Sequence, residues 1–184
     1  MTERRGGAGS GTADFDVLYR AEVRPLTALA RSMVGDRELA ADLVHEAMVR
    51  TCRSWSHVAS LDRPGAWTRR VLVNLAIDAL RRHRRETDAL SRVAATTVPA
   101  PTALDPVDRL DADRFWAAVR DLPDRQRAAV ALFYVDDLGI AEIAEVLDVA
   151  TGTVKTSLHR ARRRLAASLG RELGLTIDTP EVTR

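Results

Sequence analysis

The stretch IAEIAEVLDVATGTVKTSLHRARRRL, residues 140–165, decides the fold of the second half of the chain. It opens with apolar side chains at the three- and four-residue spacing of an amphipathic helix, which the segment DVAT then interrupts. A second helical pattern follows, with Val154, Leu158, Ala161 and Leu165 on one face. Two helices joined by so short a turn are typical of a helix-turn-helix, whose second helix enters the major groove of DNA.

The second helix of this motif carries positive charge and excludes acids. No Asp or Glu occurs between Asp148 and Glu172. Residues suited to base edges and phosphates occupy its N-terminal half: Thr153, Lys155, Thr156, Ser157, His159 and Arg160. Three arginines at 162–164 suit phosphates, the protein's own surface or a protein partner. A solvated basic face is the alternative interpretation, and the turn pattern favours DNA binding.

The charges of the chain are unevenly distributed. The formal net charge of the 184 residues is only +2, so bulk charge does not indicate a nucleic-acid partner. From Arg69 to Arg85, however, six arginines accompany the single acid Asp78, whereas acids outnumber bases from Leu104 to Asp148. Two basic blocks on either side of an acidic stretch predict two separate anionic contacts.

Several classes of protein are disfavoured by composition. The single cysteine, Cys52, excludes an internal disulfide and a cysteine-rich zinc site, and we expect it to be packing or inert surface. The four histidines have no metal-ligand spacing, so we predict neither metal nor cofactor. No apolar run reaches the roughly 18 residues of a membrane helix, and the N-terminus lacks the hydrophobic segment of a secretory signal. We therefore predict a cytoplasmic protein without membrane insertion.

The first half of the chain predicts three helices after a flexible tail at residues 1–13. The first helix begins at a cap, Asp14, and Pro25 should kink or split it. The second covers residues 37–55, and the third begins at Pro64 and ends near residue 85. We place the following residues on the apolar face of the second helix: Leu39, Leu43, Ala47, Met48, Cys52 and Trp55.

The second half predicts four more helices after a linker. Residues 86–104 contain two prolines and no sustained period, which is typical of a linker. Helices are then predicted at about 107–120, 123–135, 140–147 and 151–169, within a domain at 105–170 that a tail at 171–184 follows. The predicted fold is all-α, with two small helical domains, at 14–85 and 105–170, joined by a flexible linker.

The third helix combines an aromatic, cations and an amide. Trp67, Arg69, Arg70 and Asn74 lie along it, and the run RRHRR at residues 81–85 closes it. An aromatic ring can stack on an unpaired base, cations can follow phosphate, and an amide can read a base edge. Trp67 is equally well explained as a core residue.

The motifs together resemble the extracytoplasmic-function sigma factors, the small two-domain members of the sigma-70 family. The segment ADLVHEAMVRTCRSW resembles region 2.2 and its flank, and PGAWTRRVLVNLAIDALRRHRR resembles regions 2.3 and 2.4. Residues 122–165 resemble region 4. The resemblance implies a protein that is not an enzyme, binds core RNA polymerase through its β′ clamp coiled coil and β flap, and directs it to promoters. It also implies regulation by an anti-sigma factor.

The resemblance assigns residues to three sites. Polymerase binding falls to Asp42, Leu43, His45 and Glu46. Capture of the melted minus-10 non-template strand falls to Trp67, Arg70, Asn74, Arg81 and Arg82, beside the loop at residues 56–63. Reading of the minus-35 duplex falls to the helix-turn-helix residues Thr153, Lys155, Thr156, Ser157, His159 and Arg160.

Four positions depart from the family pattern. His45 stands where Gln is usual, which alters the expected polymerase contact, and Ser157 stands where Arg is frequent. Asp148 replaces a common Gly in the turn, and Asp tolerates the left-handed conformation at some cost. Gly139 replaces a usual Ser or Thr cap. These departures affect the promoter sequence more than the class.

Three other functions are alternatives. A repressor or activator that binds only duplex DNA would leave Trp67, Asn74 and the first domain without a role. A recombinase with a helix-turn-helix tail needs an activated nucleophile, and Ser32, Ser54 and Ser56 lack such a setting. An adaptor that binds only proteins would not need the basic helix.

Overall fold

The protein is built from α-helices alone over the residues that the structure describes. The computed structural model describes residues 8–90 and 106–173, with the side chains of residues 14–86 and 112–169. Its helices are α1 (Ala8–Val34), α2 (Arg37–Arg53), α3 (Trp55–Val58), α4 (Pro64–Leu90), α5 (Pro106–Arg120), α6 (Asp124–Tyr134), α7 (Ile140–Leu147) and α8 (Thr151–Leu173). No strand occurs in the described ranges, and the predicted all-α class is confirmed.

Some predicted boundaries differ from the structure or lie outside it. The helix α4 continues to Leu90, beyond the predicted end near residue 85, and α8 continues to Leu173. Most of the predicted linker and both chain ends fall outside the described residues, so the domain boundaries stay predictions. We refer to α1–α4 as the first unit and to α5–α8 as the second unit.

The first helix differs from its prediction at two places. It begins at Ala8, ahead of the predicted cap Asp14, and it runs without interruption through Pro25. Proline removes one hydrogen-bond donor and crowds the preceding turn, which predicted a kink or a split. The neighbouring Leu26 and Leu29 are fully buried. Their packing in the core offsets the lost hydrogen bond, so tertiary contacts keep one continuous helix.

The second helix begins at the cap that its sequence indicates. Gly35 leaves α1 with a φ of 78°, a left-handed conformation that favours glycine, and Asp36 follows as the N-cap. The Asp36 Oδ1 atom accepts a hydrogen bond from the Leu39 N–H at 2.8 Å. This bond satisfies one of the free donors of the first turn and fixes where α2 starts.

The predicted apolar face of α2 is partly wrong. Leu39 and Cys52 are exposed. The face of α2 that packs against α1 and α4 is rotated about the helix axis relative to the predicted one, and it leaves these two residues outside. The residues buried on this face are Ala40, Leu43, Val44, Ala47, Met48 and Thr51. The buried face of α2 includes two alanines and a threonine, which are weak hydrophobic signals in a sequence. The helical period alone therefore does not fix which residues lie at the centre of that face.

The second unit forms around α8. The predicted apolar stripe of this helix is confirmed, since Val154, Leu158, Ala161 and Leu165 are all buried. They face α5, α6 and α7, each of which packs against α8. Burial of one face of α8 therefore determines which of its other residues reach the surface.

The two units are in contact, and a buried arginine lies between them. Arg127 on α6 donates from Nη1 to the Met33 carbonyl at 3.0 Å and from Nη2 to the carbonyls of Arg120 and Leu122. One guanidinium thus satisfies carbonyls at the ends of α1 and α5, where the helix dipole favours a cation. Burial lowers the pKa of Arg127 to about 10, so the side chain remains charged at neutral pH.

We expect the change Arg127→Met to lower the free energy of unfolding by about 2 kcal/mol, because buried carbonyls lose a charged donor. Methionine keeps an unbranched apolar stem in the same space. Urea unfolding followed by circular dichroism measures the effect. The matched control is Arg125→Met, since Arg125 is exposed on the same helix. Equal losses in the two variants would contradict a bonding role for Arg127.

Candidate nucleic-acid interface

The turn between α7 and α8 closes through a left-handed residue. Asp148 has φ 55° and ψ 53°, the conformation expected where glycine is usual. The N–H of Val149 then donates to the Ala144 carbonyl at 3.0 Å, which satisfies one of the last carbonyls of α7. Val149 is half-buried. The helix-turn-helix predicted from the sequence therefore has a defined turn geometry.

The start of α7 has a glycine cap that a glutamate supports. The N–H of Gly139 donates to Glu142 Oε2 at 2.8 Å. This hydrogen bond, followed by the side-chain bond from Arg63, lowers the pKa of Glu142 below its ordinary value. A lowered carboxyl pKa adds stability above the unfolded pKa, and that stability is lost as the pH falls through the folded pKa. Glu142 thus compensates in part for the missing Ser or Thr cap.

The exposed face of α8 carries the predicted duplex-reading residues. Thr153, Lys155, Thr156, His159 and Arg160 are exposed, and Ser157 is half-buried. The Thr156 hydroxyl donates to the Gly152 carbonyl at 2.9 Å, which fixes its rotamer. Cations, hydroxyls and an imidazole on one free helix face can bind phosphates and the hydrogen-bonding edges of bases.

Of the three arginines further along α8, one is engaged within the protein. The Arg162 guanidinium lies 5.6 Å from the centroid of the Phe133 ring and 6.0 Å from that of Tyr134. Its Nε also donates to the Tyr134 hydroxyl at 3.2 Å. The sequence allowed residues 162–164 to bind phosphates, a protein partner or the protein's own surface. Arg162 takes the last of these roles, because it packs on two aromatic rings of α6.

The predicted single-strand residues lie along α4. Asn74, Arg81 and Arg82 are exposed, whereas Trp67 and Arg70 are half-buried. The half-burial of Trp67 is compatible with both interpretations of this residue, stacking and core packing. The described face of α4 is therefore polar and cationic, with one aromatic near its start.

A cavity of about 300 Å³ brings the two predicted DNA surfaces together. Its lining includes Asn74 and Arg81 from α4 and Thr153 and Ser157 from α8. The sequence indicated two separate anionic contacts, yet here members of both sets border one space. Arg70 also lies 2.5 Å from Asp148 of the helix-turn-helix turn, measured from Nη2 to Oδ2.

Comparison with known proteins connects these two surfaces to one family. Residues 18–86 match the family model for Sigma-70 region 2, and residues 112–165 match that for Sigma-70, region 4. The ECF RNA polymerase sigma factor SigM of Mycobacterium tuberculosis is 36% identical over 160 residues, which cover 85% of this chain and 77% of SigM. The chain belongs to the ECF RNA polymerase sigma factors. The resemblance inferred from its motifs is confirmed.

Other relatives of this sigma factor agree over most of its length. The ECF RNA polymerase sigma factor SigW of Bacillus subtilis is 29% identical over 170 residues, covering 85% of this chain and 88% of SigW. The sigma factor RpoE of Bartonella quintana, solved in complex with the anti-sigma factor NepR, superimposes with a TM-score of 0.63 at 26% identity. That match covers 85% of this chain and 96% of the solved one.

The predicted polymerase-binding residues of the sigma factor lie on α2. Asp42 and His45 are exposed, and the half-buried Glu46 lies with its Oε1 2.7 Å from Arg50 Nε. Leu43 is only 6% exposed and belongs to the core. Its side chain therefore supports this surface from below and offers little area to a partner.

Sequence reasoning missed four acids that pair with arginines on α4 or just before it in this sigma factor. Asp124, Asp136, Glu142 and Glu145 of the second unit all pair with arginines of the first. The signal for them was present, because the acidic stretch lies between two basic blocks. In the described part of the chain, no cluster of His, Cys, Asp or Glu side chains could hold a metal ion. Within the same residues, no helix is long and apolar enough to cross a membrane.

Proposed function

We propose that this sigma factor binds core RNA polymerase and directs it to promoters by reading two DNA elements. The observation that carries the proposal is the division of α8 into a fully buried apolar stripe and an exposed face without acids. Anchoring on one side and free cations on the other suit a helix that docks in a groove of duplex DNA. The class of the protein is a transcription initiation factor, and we assign it no catalytic residue, cofactor or metal.

Duplex reading at the minus-35 element falls to the exposed face of α8. Lys155 and Arg160 supply cations near the N-terminal half of the helix, where recognition helices contact base edges. Thr153, Thr156 and His159 add hydrogen-bonding groups on the same exposed face. Ser157 is shorter than the arginine frequent at this position and contributes a hydroxyl in place of a cation.

Single-strand capture at the minus-10 element falls to α4. Trp67 and Asn74 supply a ring and an amide for an unpaired base, while Arg70, Arg81 and Arg82 follow the phosphates. Opening or flipping a base costs a few kcal/mol, which so small a surface does not supply alone. Docking on polymerase adds affinity, and tethering two weak DNA readers raises their effective concentration.

Polymerase contact falls to the exposed part of α2. Asp42, His45 and Glu46 present two carboxylates and an imidazole for the β′ clamp coiled coil, with Leu43 packed beneath them. The second unit would contact the β flap. Because RpoE was solved with an anti-sigma factor, we also propose an anti-sigma factor for this protein, acting in the cytoplasm on the chain before it joins polymerase at the nucleoid.

Run-off transcription with purified core polymerase and a library of promoter fragments tests this function. We expect RNA that begins at defined start sites only when the sigma factor is present, with weak DNA binding by the isolated chain. Absence of defined starts on every template would reject the proposal. Nanomolar binding of an operator in a gel shift without polymerase would instead favour a repressor that acts on duplex DNA.

A further inference from the structure

The polar face of α4 carries an acid among its cations. Asn74, Asp78, Arg81 and Arg82 are all exposed. They follow one another at the three- and four-residue spacing that keeps side chains on one face of a helix. Between residues 69 and 85, the sequence contains no acid other than Asp78. A carboxylate therefore lies in the middle of the surface that we propose for the minus-10 strand.

Local structure does not account for this acid. Within the described side chains its ion pair is with Arg81, whose Nη1 atom lies 3.9 Å from Asp78 Oδ1, too far for a hydrogen bond. Arg81 is 54% exposed and Asp78 is 68% exposed, so solvent screens the pair and it adds little stability. Asp78 also lies in the middle of α4, away from the N-terminus where the helix dipole favours an acid. Because aspartate is among the poorer helix formers, the fold gains little from it here.

A carboxylate at this place also opposes general DNA binding. Arg81 and Arg82 attract phosphates, whereas a negative charge within one helical turn of them repels phosphates. Phosphate contacts are the same for every sequence, so a surface that only followed the backbone would bind better with a neutral residue at position 78. An ionised carboxylate has hydrogen-bond acceptors and no donor. Asp78 therefore suits selection among bases, which differ in the donors that they present.

The Watson–Crick edge of guanine matches this carboxylate. Unpaired bases are read at that edge by hydrogen bonds. Guanine offers two neighbouring donors, N1–H and the N2 amino group, to the two oxygens of one carboxylate. Adenine and cytosine offer one amino donor beside a ring-nitrogen acceptor, which repels the second oxygen, and thymine offers one N–H between two carbonyls. Among the four bases, guanine is therefore the best complement of Asp78.

Asn74 lies one helical turn before Asp78 and completes the match. Side chains four residues apart on a helix are neighbours, with Cβ atoms roughly 5–6 Å apart, so both can reach the same base. The Asn74 amide can donate to the O6 acceptor of guanine while Asp78 accepts from N1 and N2. Ala76 and Ile77, which lie between them in sequence, are buried and anchor this turn in the core. The two exposed side chains thus present a donor and two acceptors from a fixed helical turn.

We propose that Asp78, together with Asn74, selects a guanine in the unpaired minus-10 strand. This inference deepens the proposed function and rests on it, because capture of that strand by α4 is part of the function. Arg81 and Arg82 supply affinity for any sequence, and Asp78 lowers that affinity for every base except guanine. Neutralising Asp78 therefore raises general affinity for single strands and lowers selectivity at one position of the promoter.

Run-off transcription on promoters randomised at the minus-10 element measures base preference directly. The test compares polymerase holoenzymes assembled with wild type, with Asp78→Asn and with the control Asp16→Asn. The control removes the same charge from an exposed aspartate of the first unit, on α1. We expect wild type and control to favour guanine about tenfold at one non-template position, and Asp78→Asn to favour it less than about twofold. Base preference in the minus-35 element should be the same in all three.

Inosine, which lacks the N2 amino group of guanine, isolates the contact in the wild-type protein and does not depend on folding of a variant. We expect the wild-type holoenzyme to bind a fluorescein-labelled minus-10 strand about fivefold more weakly when inosine replaces that guanine, and Asp78→Asn to bind both strands equally. Absence of a guanine preference in wild type, or an unchanged preference in Asp78→Asn, would overturn the assignment. Defined start sites with either result reject this inference alone, whereas absence of defined starts rejects the proposed function and the inference with it.

Discussion

Leu158→Ala lowers the free energy of unfolding of the second unit by about 3 kcal/mol and weakens duplex binding with it. Leu158 is fully buried on the face of α8 that packs against α6 and α7. Replacing a buried leucine by alanine costs about 2–5 kcal/mol, because transfer energy is lost and a cavity remains. The loss also loosens α8, whose exposed face depends on this anchor. Urea unfolding followed by circular dichroism measures the first effect.

The exposed Leu39 provides the control for this substitution. Leu39→Ala removes the same atoms from a side chain that is 37% exposed, so we expect a change below about 0.5 kcal/mol. A loss of less than about 1 kcal/mol in Leu158→Ala would show that α8 is not held by its apolar stripe. The division of this helix into an anchored and a free face would then be wrong.

The helix-turn-helix was predictable from the sequence because its signals are local. The spacing of Val154 and Leu158 identifies the buried face of α8 without knowledge of what packs against it. The turn at Asp148 follows from a break in the apolar pattern, and α7 begins and ends where that pattern does. The cap at Asp36 and the proline at the first position of α4, Pro64, are local in the same sense.

Features that depend on distant contacts could not be predicted in this way. Pro25 breaks an isolated helix, but the burial of its neighbours keeps α1 continuous. Arg127 looks like any surface arginine in the sequence, and only the fold brings the Met33 carbonyl to it. Asp136 likewise looks like an ordinary loop acid in the sequence, and only the fold places Arg69 beside it. Sequence separation hides such pairs, because neither partner has a pattern of its own.

The two basic blocks differ in whether their cations form ion pairs within the protein. The cations of the first block, on α4, are largely paired with carboxylates of the second unit. Among the side chains that the structure describes, α8 contributes no cation to an ion pair of this kind. The charge of α8 therefore remains available to an external anion while that of α4 is partly neutralised.

The double change Lys155→Ala with Arg160→Ala should reduce promoter-specific transcription about a hundredfold. Both side chains are exposed on α8 and make no contribution to its buried stripe. Each good contact between a cationic side chain and a base is worth about 1–3 kcal/mol, so two losses approach a factor of 100. Run-off transcription at a fixed, moderate salt concentration measures the effect, since phosphate contacts make it salt-dependent.

A matched loss of charge and a polymerase-binding assay make this result specific. Arg20→Ala with Arg24→Ala removes two exposed cations from α1, far in sequence from α8, and should change transcription less than about threefold. Binding of core polymerase should be unchanged in both variants, because the proposed contact on α2 is intact. If both double variants lose transcription equally, net charge is responsible and α8 does not read the duplex. If the α8 variant also fails to bind polymerase, its basic face serves the enzyme, and the duplex must be recognised elsewhere.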